Sequence, residues 1–219
     1  MSAILDPRTS EDVGRRYDRS GRAGGGLDAQ QPAALISFET DRLYLRQWLP
    51  GDRAPFARLN SDPSVMEFFP RYLDRATSDA MADRCEALIA CRGWGFWAAE
   101  LKETRDFIGF VGLHQPRAGL PFVPCVEIGW RLARPYWGRG LATEAARGAL
   151  RVGFEDLGLE EILAFTAVRN LRSRAVMKRL GMREDDRTFQ HPELSLESPL
   201  REHCLFRLSR RRWAAVLRD

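Results

Sequence analysis

Residues 126–145 read VEIGWRLARPYWGRGLATEA, and the fold turns on this stretch. Val126, Ile128, Trp130 and Leu132 alternate with Glu127, Gly129 and Arg131, the period-two pattern of a strand with two unlike faces. Gly138 and Gly140 then frame a turn, and a helix is expected from about Leu141 to Asp156. A glycine turn running into a helix start combines close backbone approach with unpaired N–H groups and the positive end of a helix dipole. A phosphate or pyrophosphate therefore fits at 138–142. Two nucleotide patterns fail against the same residues. A Walker loop needs a Lys that is absent, and a dinucleotide fingerprint needs a glycine where Thr143 stands.

Reading outward, Phe96 to Leu101 and Phe107 to Leu113 are strands joined by the polar turn KETRD, and Cys125 to Leu132 is a third. Upstream, FETDRLYLRQW places Leu43 and Leu45 against Arg42, Tyr44 and Arg46, a strand again. Short helices are expected at roughly 52–60 and from Asp62-Pro63 toward Phe69. Thr77 caps a longer helix that ends near Arg92, before Gly93. Downstream, Ile162 to Val168 is apolar on both faces, which suits a central strand of a covered sheet. A helix from Asn170 to Leu180 closes at Gly181, a long loop follows over 189–200, and a last strand covers His203 to Leu208. The RRRW end reads as a solvated helix packed through Trp213, Val216 and Leu217. This order makes the class α+β with a mixed sheet, not an alternating βαβ chain.

The 219 residues carry a formal net charge of +4, and the excess is local. Residues 201–219 hold six Arg against Glu202 and Asp219, while 1–36 and 37–200 each balance to zero. A short basic end without a recognisable module argues against a nucleic-acid binder. No run of about 18 apolar residues occurs, so no membrane span is expected. The acidic start MSAILDPRTSED lacks the apolar core of a secretory signal, which points to the cytoplasm. Cys85, Cys91, Cys125 and Cys204, with His114, His191 and His203, show no metal-ligand spacing, so no metal is expected. Composition marks a flexible extension over 1–36, with an ordered domain expected over 37–212 and a C-terminal end over 213–219.

With these motifs in order, the chain resembles the GCN5-related N-acetyltransferase (GNAT) superfamily, in particular its RimJ/RimL-like branch. The resemblance runs over roughly 37–212 and rests on FETDRLYLRQW, the EIGW strand, PYWGRGLATEA and ILAFTAVRNLRSRAVMKRLGM. The usual acyl-CoA loop reads Q/R-x-x-G-x-G/A. Here Pro135 holds its first position, and Gly138 and Gly140 match the glycines. The resemblance implies a GNAT-like acyl-CoA fold, with acetyl-CoA along the EIGW strand and its pyrophosphate on the amides of Gly138, Arg139, Gly140, Leu141 and Ala142. It also implies that Asn170 helps hold the pantetheine arm and that Ser173 lies near the thioester sulfur. A Tyr often protonates the departing thiolate in similar enzymes, yet no Tyr follows Tyr136, so that catalytic role falls to Ser173, a water or nothing.

Glu127 is the candidate for proton transfer. A carboxylate on a central strand is costly unless it is paired or used, and an attacking amine must lose a proton. An ion pair with Arg131 or Arg46 is the competing reading, level with catalysis until the resemblance is weighed. Arg139 adds a charge-assisted phosphate contact; Thr143 and Glu144 are accounted for by helix capping. Asn170 and Ser173 also fit an N-cap pair. Phe68, Phe69, Tyr72, Trp94 and Trp97 are candidate walls for the acceptor, although aromatics so placed are more often core, and His114 at a strand end is a candidate to face it, although a lone His is more often structural. The expected activity is direct acetyl transfer to a primary amine, on a protein N-terminus or a small molecule. The alternatives are a non-catalytic acyl-CoA-binding module and, resting only on the basic end, an RNA-binding protein. Expected partners are acetyl-CoA, the amine and, for assembly, a second copy in a homodimer.

Overall fold

The structure is a computed structural model that describes residues 34–116 and 119–217. The extension expected over 1–36 lies almost wholly outside the described residues. The elements are β1 (Phe38–Glu39), β2 (Leu43–Arg46), α1 (Arg53–Ser61), α2 (Pro63–Met66), α3 (Arg75–Arg92), β3 (Phe96–Leu101), β4 (Phe107–His114) and β5 (Glu127–Leu132). After these come α4 (Leu141–Arg151), β6 (Glu161–Ala167), α5 (Leu171–Arg179), β7 (Arg183–Glu184), β8 (Phe189–Gln190), β9 (Glu202–Ser209) and α6 (Arg210–Val216).

One sheet runs β1-β2-β3-β4-β5-β6-β9-β7, with β8 also on β9. Its pairs are antiparallel except β5 with β6. That parallel pair has a single register position among the described residues, Glu127 opposite Leu163. Leu163 N donates to Val126 O at 2.9 Å there. Toward the C-terminal ends of the two strands no further pair forms among the described residues, which leaves a wedge of unpaired backbone inside the sheet.

Alternation along the strands assigns the two faces. Leu113 and Ile162 reach Gly153, which lies just past α4, and Ile128 is the register partner of Leu113. Arg131 instead reaches Asn60 of α1 and lies over the Phe69 ring at 4.0 Å. Val126, Ile128, Trp130 and Leu132 therefore belong to the α4 side, and Glu127, Gly129 and Arg131 to the side of α1–α3. On that second side Trp48, Phe56, Phe96 and Phe110 pack edge-on or tilted with centroids 4.9–6.4 Å apart. Removing any one of these rings would cost about 3–5 kcal/mol.

The expected elements are present with instructive shifts. The cap of α3 is Asp74, whose side chain accepts from Thr77 N at 2.7 Å, so Thr77 lies inside the first turn. Asp at the position before a helix competes better for its free amides than the Thr three residues later. The helix begun by α4 finishes in a π-helical turn over Val152–Asp156. Gly153 permits it, because a Cβ there would stand 2.6 Å from Ile162 Cδ1. The stretch expected as loop over 189–200 begins with β8, which pairs with β9, and β7 adds a second short strand. Two-residue strands carry no visible periodicity, so only pairing reveals them. Helix α6 crosses residue 212, where the domain boundary was drawn; Trp213 is buried, whereas Leu217 is exposed and does not pack.

Candidate active site

The anion cradle is built from the turn after β5. Gly138 has φ 74° and Gly140 has φ 78°, left-handed values that side chains resist. A Cβ on Gly138 would meet nothing within 4 Å, so the cradle is open space. Gly140 serves as the N-cap of α4 without any side-chain cap, and the amides of residues 138–142 find no acceptor among the described residues. These are the donors that a pyrophosphate requires, and the observation fits acetyl-CoA. Arg139 is exposed, with its guanidinium 6.0 Å from the Tyr136 ring centroid. Leu141 is buried beneath the turn, and Ala142 packs against the core.

A clamp that capping logic missed holds the cradle. Arg42, at the edge of β2, donates Nη1 to the Arg139 carbonyl at 3.0 Å and Nε to Glu144 Oε2 at 2.7 Å. Glu144 Oε1 takes the Arg42 amide at 2.8 Å and Thr40 Oγ1 at 2.6 Å. Partial burial opposes the charge on Glu144, but these hydrogen bonds outweigh it and hold its pKa below the usual carboxylate value. The FETDRLYLRQW motif thus braces a turn about a hundred residues later. No local signal announces that pairing.

Across the wedge, Asn170 caps α5: its Oδ1 accepts from Ser173 N at 3.2 Å. Its Nδ2 donates to Thr166 Oγ1 at 3.0 Å and to Ser173 Oγ at 3.1 Å. Both side chains are buried, and the Ser173 hydroxyl is engaged in the cap. Thr166 is three residues past Leu163 on β6, and three residues reverse the side-chain direction. Asn170 and Ser173 therefore lie on the opposite sheet face from Glu127 and roughly 10 Å farther along the strand. The structure does not bring the two expected catalytic side chains together.

Glu127 is 3 % exposed, and its Oε1 has no hydrogen-bond partner. Burial pushes the carboxyl up to about 8, and Glu193 from the 189–200 region adds to the shift. The competing ion pairs are absent. Arg46 is taken by Asp52 and Glu100 at 2.7 and 2.6 Å. Arg131 donates to Asn60, and burial lowers its pKa to about 9. His114 is the cross-strand register partner of Glu127 and stacks on Phe96 with centroids 5.3 Å apart. Burial and then the nearby Glu127 push the thiol of Cys125, two residues before Glu127, up to about 12, which disfavours it as a nucleophile.

The aromatic wall differs from the expected one. Trp97 is fully buried, donates Nε1 to Ile36 O at 2.7 Å and packs on Phe38, so it belongs to the α4 side and not to the acceptor. Phe69 covers Arg131, Phe68 lies by Arg172, and Tyr72 is exposed. The rings on the face of Glu127 include Phe122, Phe165, Phe189, His191 and His203, which form one cluster beside Leu163. Burial lowers His191 to about 4 and His203 to about 3, so both are neutral near pH 7. Pairing of β8 with β9 assembles this group, which explains why sequence spacing could not.

A mixed sheet split at one parallel pair carries an amide cradle on one lip and an Asn-capped helix on the other. A family model described as "Acetyltransferase (GNAT) domain" matches residues 42–183, and the chain belongs to that family of N-acetyltransferases. It is similar to YkkB of Bacillus subtilis, 32 % identical over 150 residues that cover 68 % of this chain and 86 % of that protein. It is likewise similar to the N-acetyltransferase YnaD of the same organism, 41 % identical over 151 residues, covering 68 % and 84 %. Among solved structures, Mycobacterium smegmatis RimJ in complex with CoA-disulfide shares the fold, with a TM-score of 0.66 and 20 % identity over 86 % of this chain and 98 % of that one. No helix of the described residues is long and apolar enough to cross a membrane.

Proposed function

We propose that the chain moves the acetyl group of acetyl-CoA directly to a primary amine, with Glu127 accepting the amine proton. The observation that carries this reading is Glu127 itself: a buried carboxyl with a free oxygen at the one register position where β5 and β6 touch. The amine nitrogen bonds to the thioester carbon to give an oxyanion, the amine proton passes to the Glu127 carboxylate, and the oxyanion collapses as the C–S bond breaks and CoA leaves as the thiolate. Gly138, Arg139, Gly140, Leu141 and Ala142 hold the pyrophosphate, and Asn170 braces the other lip of the wedge. Ser173 supports Asn170 as a positioning residue, and the thiol leaving group needs no strong acid. Unpaired strand amides in the wedge would stabilise the developing oxyanion, each worth about 3 kcal/mol. The acceptor is a protein N-terminus or a small-molecule amine of the cytoplasm, a compartment in which four free thiols stay reduced.

Calorimetry with acetyl-CoA, followed by thiol release across polyamines, amino-acid amides and short peptides, tests the reading. Binding with turnover on one class supports it. Binding without turnover on any of them would replace it with a non-catalytic acyl-CoA module, and absence of binding would remove both.

A further inference from the structure

Four arginines outside the wedge share one open cleft. Arg183 of β7, Arg207 of β9, and Arg211 and Arg212 of α6 line it with Glu161, Ser209 and Ala215, and its volume is about 430 Å³. Two of them are committed to the fold. Arg207 donates Nη1 to Glu161 Oε2 at 2.9 Å and Nε to Asp185 at 2.9 and 3.1 Å. Arg212 donates Nε to the Gly181 carbonyl at 2.6 Å. Arg183 and Arg211 are exposed, and neither side chain makes a hydrogen bond or ion pair among the described residues.

The register adds an independent observation. Arg183 stands directly opposite Arg207 across the β7–β9 pair. Like charges directly opposite weaken a strand pair, so Arg183 does not stabilise the sheet edge where it sits. The carboxylate on the cleft wall, Glu161, already serves Arg207. The cleft thus has surplus positive charge and two uncommitted guanidinium forks on separate elements, the geometry that suits oxyanions. Its lining also limits the ligand. No aromatic ring is present to stack a base, and Ala215 is the lone apolar side chain, so a ligand with an apolar body gains nothing there.

We propose that this cleft binds a compact polyanion of the phosphate class, a small molecule with two or more phosphate groups, at a site distinct from the Gly138–Ala142 cradle. The test titrates tripolyphosphate into the full chain saturated with CoA, at fixed ionic strength, and repeats it with Arg183→Gln/Arg211→Gln. One-to-one binding is expected, weakened about a hundredfold in the double variant, since each charge-assisted contact counts for about tenfold. Acetyl-CoA affinity should not change. The variant should fold, because both side chains are exposed and unpartnered, and its Tm should equal or exceed the parent's. No binding, or equal binding by parent and variant, would overturn the proposal. Arginine-dependent binding of a single-stranded oligonucleotide, with none of tripolyphosphate, would overturn it in favour of a nucleic-acid surface. CoA binding and amine turnover are read separately, so failure here leaves the acetyltransferase reading standing.

Discussion

Replacing Glu127 by Gln separates the chemical role of this carboxyl from its effect on stability. The group titrates near 8 in the fold, against 4.5 when solvated. Between those values the folded chain keeps a proton that the unfolded chain has released. Stability therefore falls as pH rises from about 4.5 to about 8 and levels off above. At pH 7 the deficit is about 3 kcal/mol, and above pH 8 about 5, from about 1.4 kcal/mol per unit. Gln has nearly the same shape and no charge to lose. Glu127→Gln should match the parent below pH 4 and exceed it at pH 7 by about 3 kcal/mol, or about 9 °C in Tm for a chain of this size. Turnover should fall by about 10²–10⁴, the usual worth of a positioned base. Parent kcat/KM should climb with pH to a limb near 8, and the variant should lack that limb while the acceptor amine's own titration persists. Thermal melts from pH 4 to 9 and thiol release over the same range read both effects. A Tm difference independent of pH would refute the buried-carboxyl argument, and full turnover would remove Glu127 from the reaction.

Four further outcomes follow from the same geometry. Gly138→Glu should abolish acetyl-CoA binding in calorimetry: the added carboxylate occupies the anion's place, and the left-handed φ of 74° costs a side chain about 1–2 kcal/mol. Glu144→Gln should weaken acetyl-CoA by about tenfold as Arg42 releases the turn, while stability drops by less than about 1 kcal/mol because the pair is partly exposed. Asn170→Ala should cost about 1 kcal/mol through loss of the α5 cap and lower the Tm by about 3 °C in a melt. Cys125→Ser should leave turnover unchanged and mass spectrometry should find no acetylated Cys125, since its thiol titrates far above working pH.

Some of this was legible residue by residue. The alternation Val126, Ile128, Trp130, Leu132 reported two faces, and both faces exist. Asn170 announced a helix start because capping is a contact between residues three apart. The turn at Gly138 and Gly140 was legible as a set of free amides at a helix start for the same reason. Trp97 could not be assigned between pocket and core, because a lone aromatic carries no sign of which sheet face it joins. That choice was made by register with Val111 on β4. Glu144 looked like an ordinary first-turn acid, since its partner Arg42 is 102 residues away.

By itself, the sequence determined what short-range geometry controls: the strand, its glycine turn, the helix starts, the cradle of free amides and, through two ordered motifs, the family. Tertiary structure alone decided what surrounds each group. It left Glu127 without Arg46 or Arg131, gathered His191 and His203 by pairing β8 with β9, clamped the cradle with Arg42 and set Arg183 opposite Arg207. The physical reason is one of range. Backbone conformation and caps depend on neighbours within about four residues. A carboxyl's pKa and an arginine's freedom depend on which distant segments exclude water from it and which bring it charge.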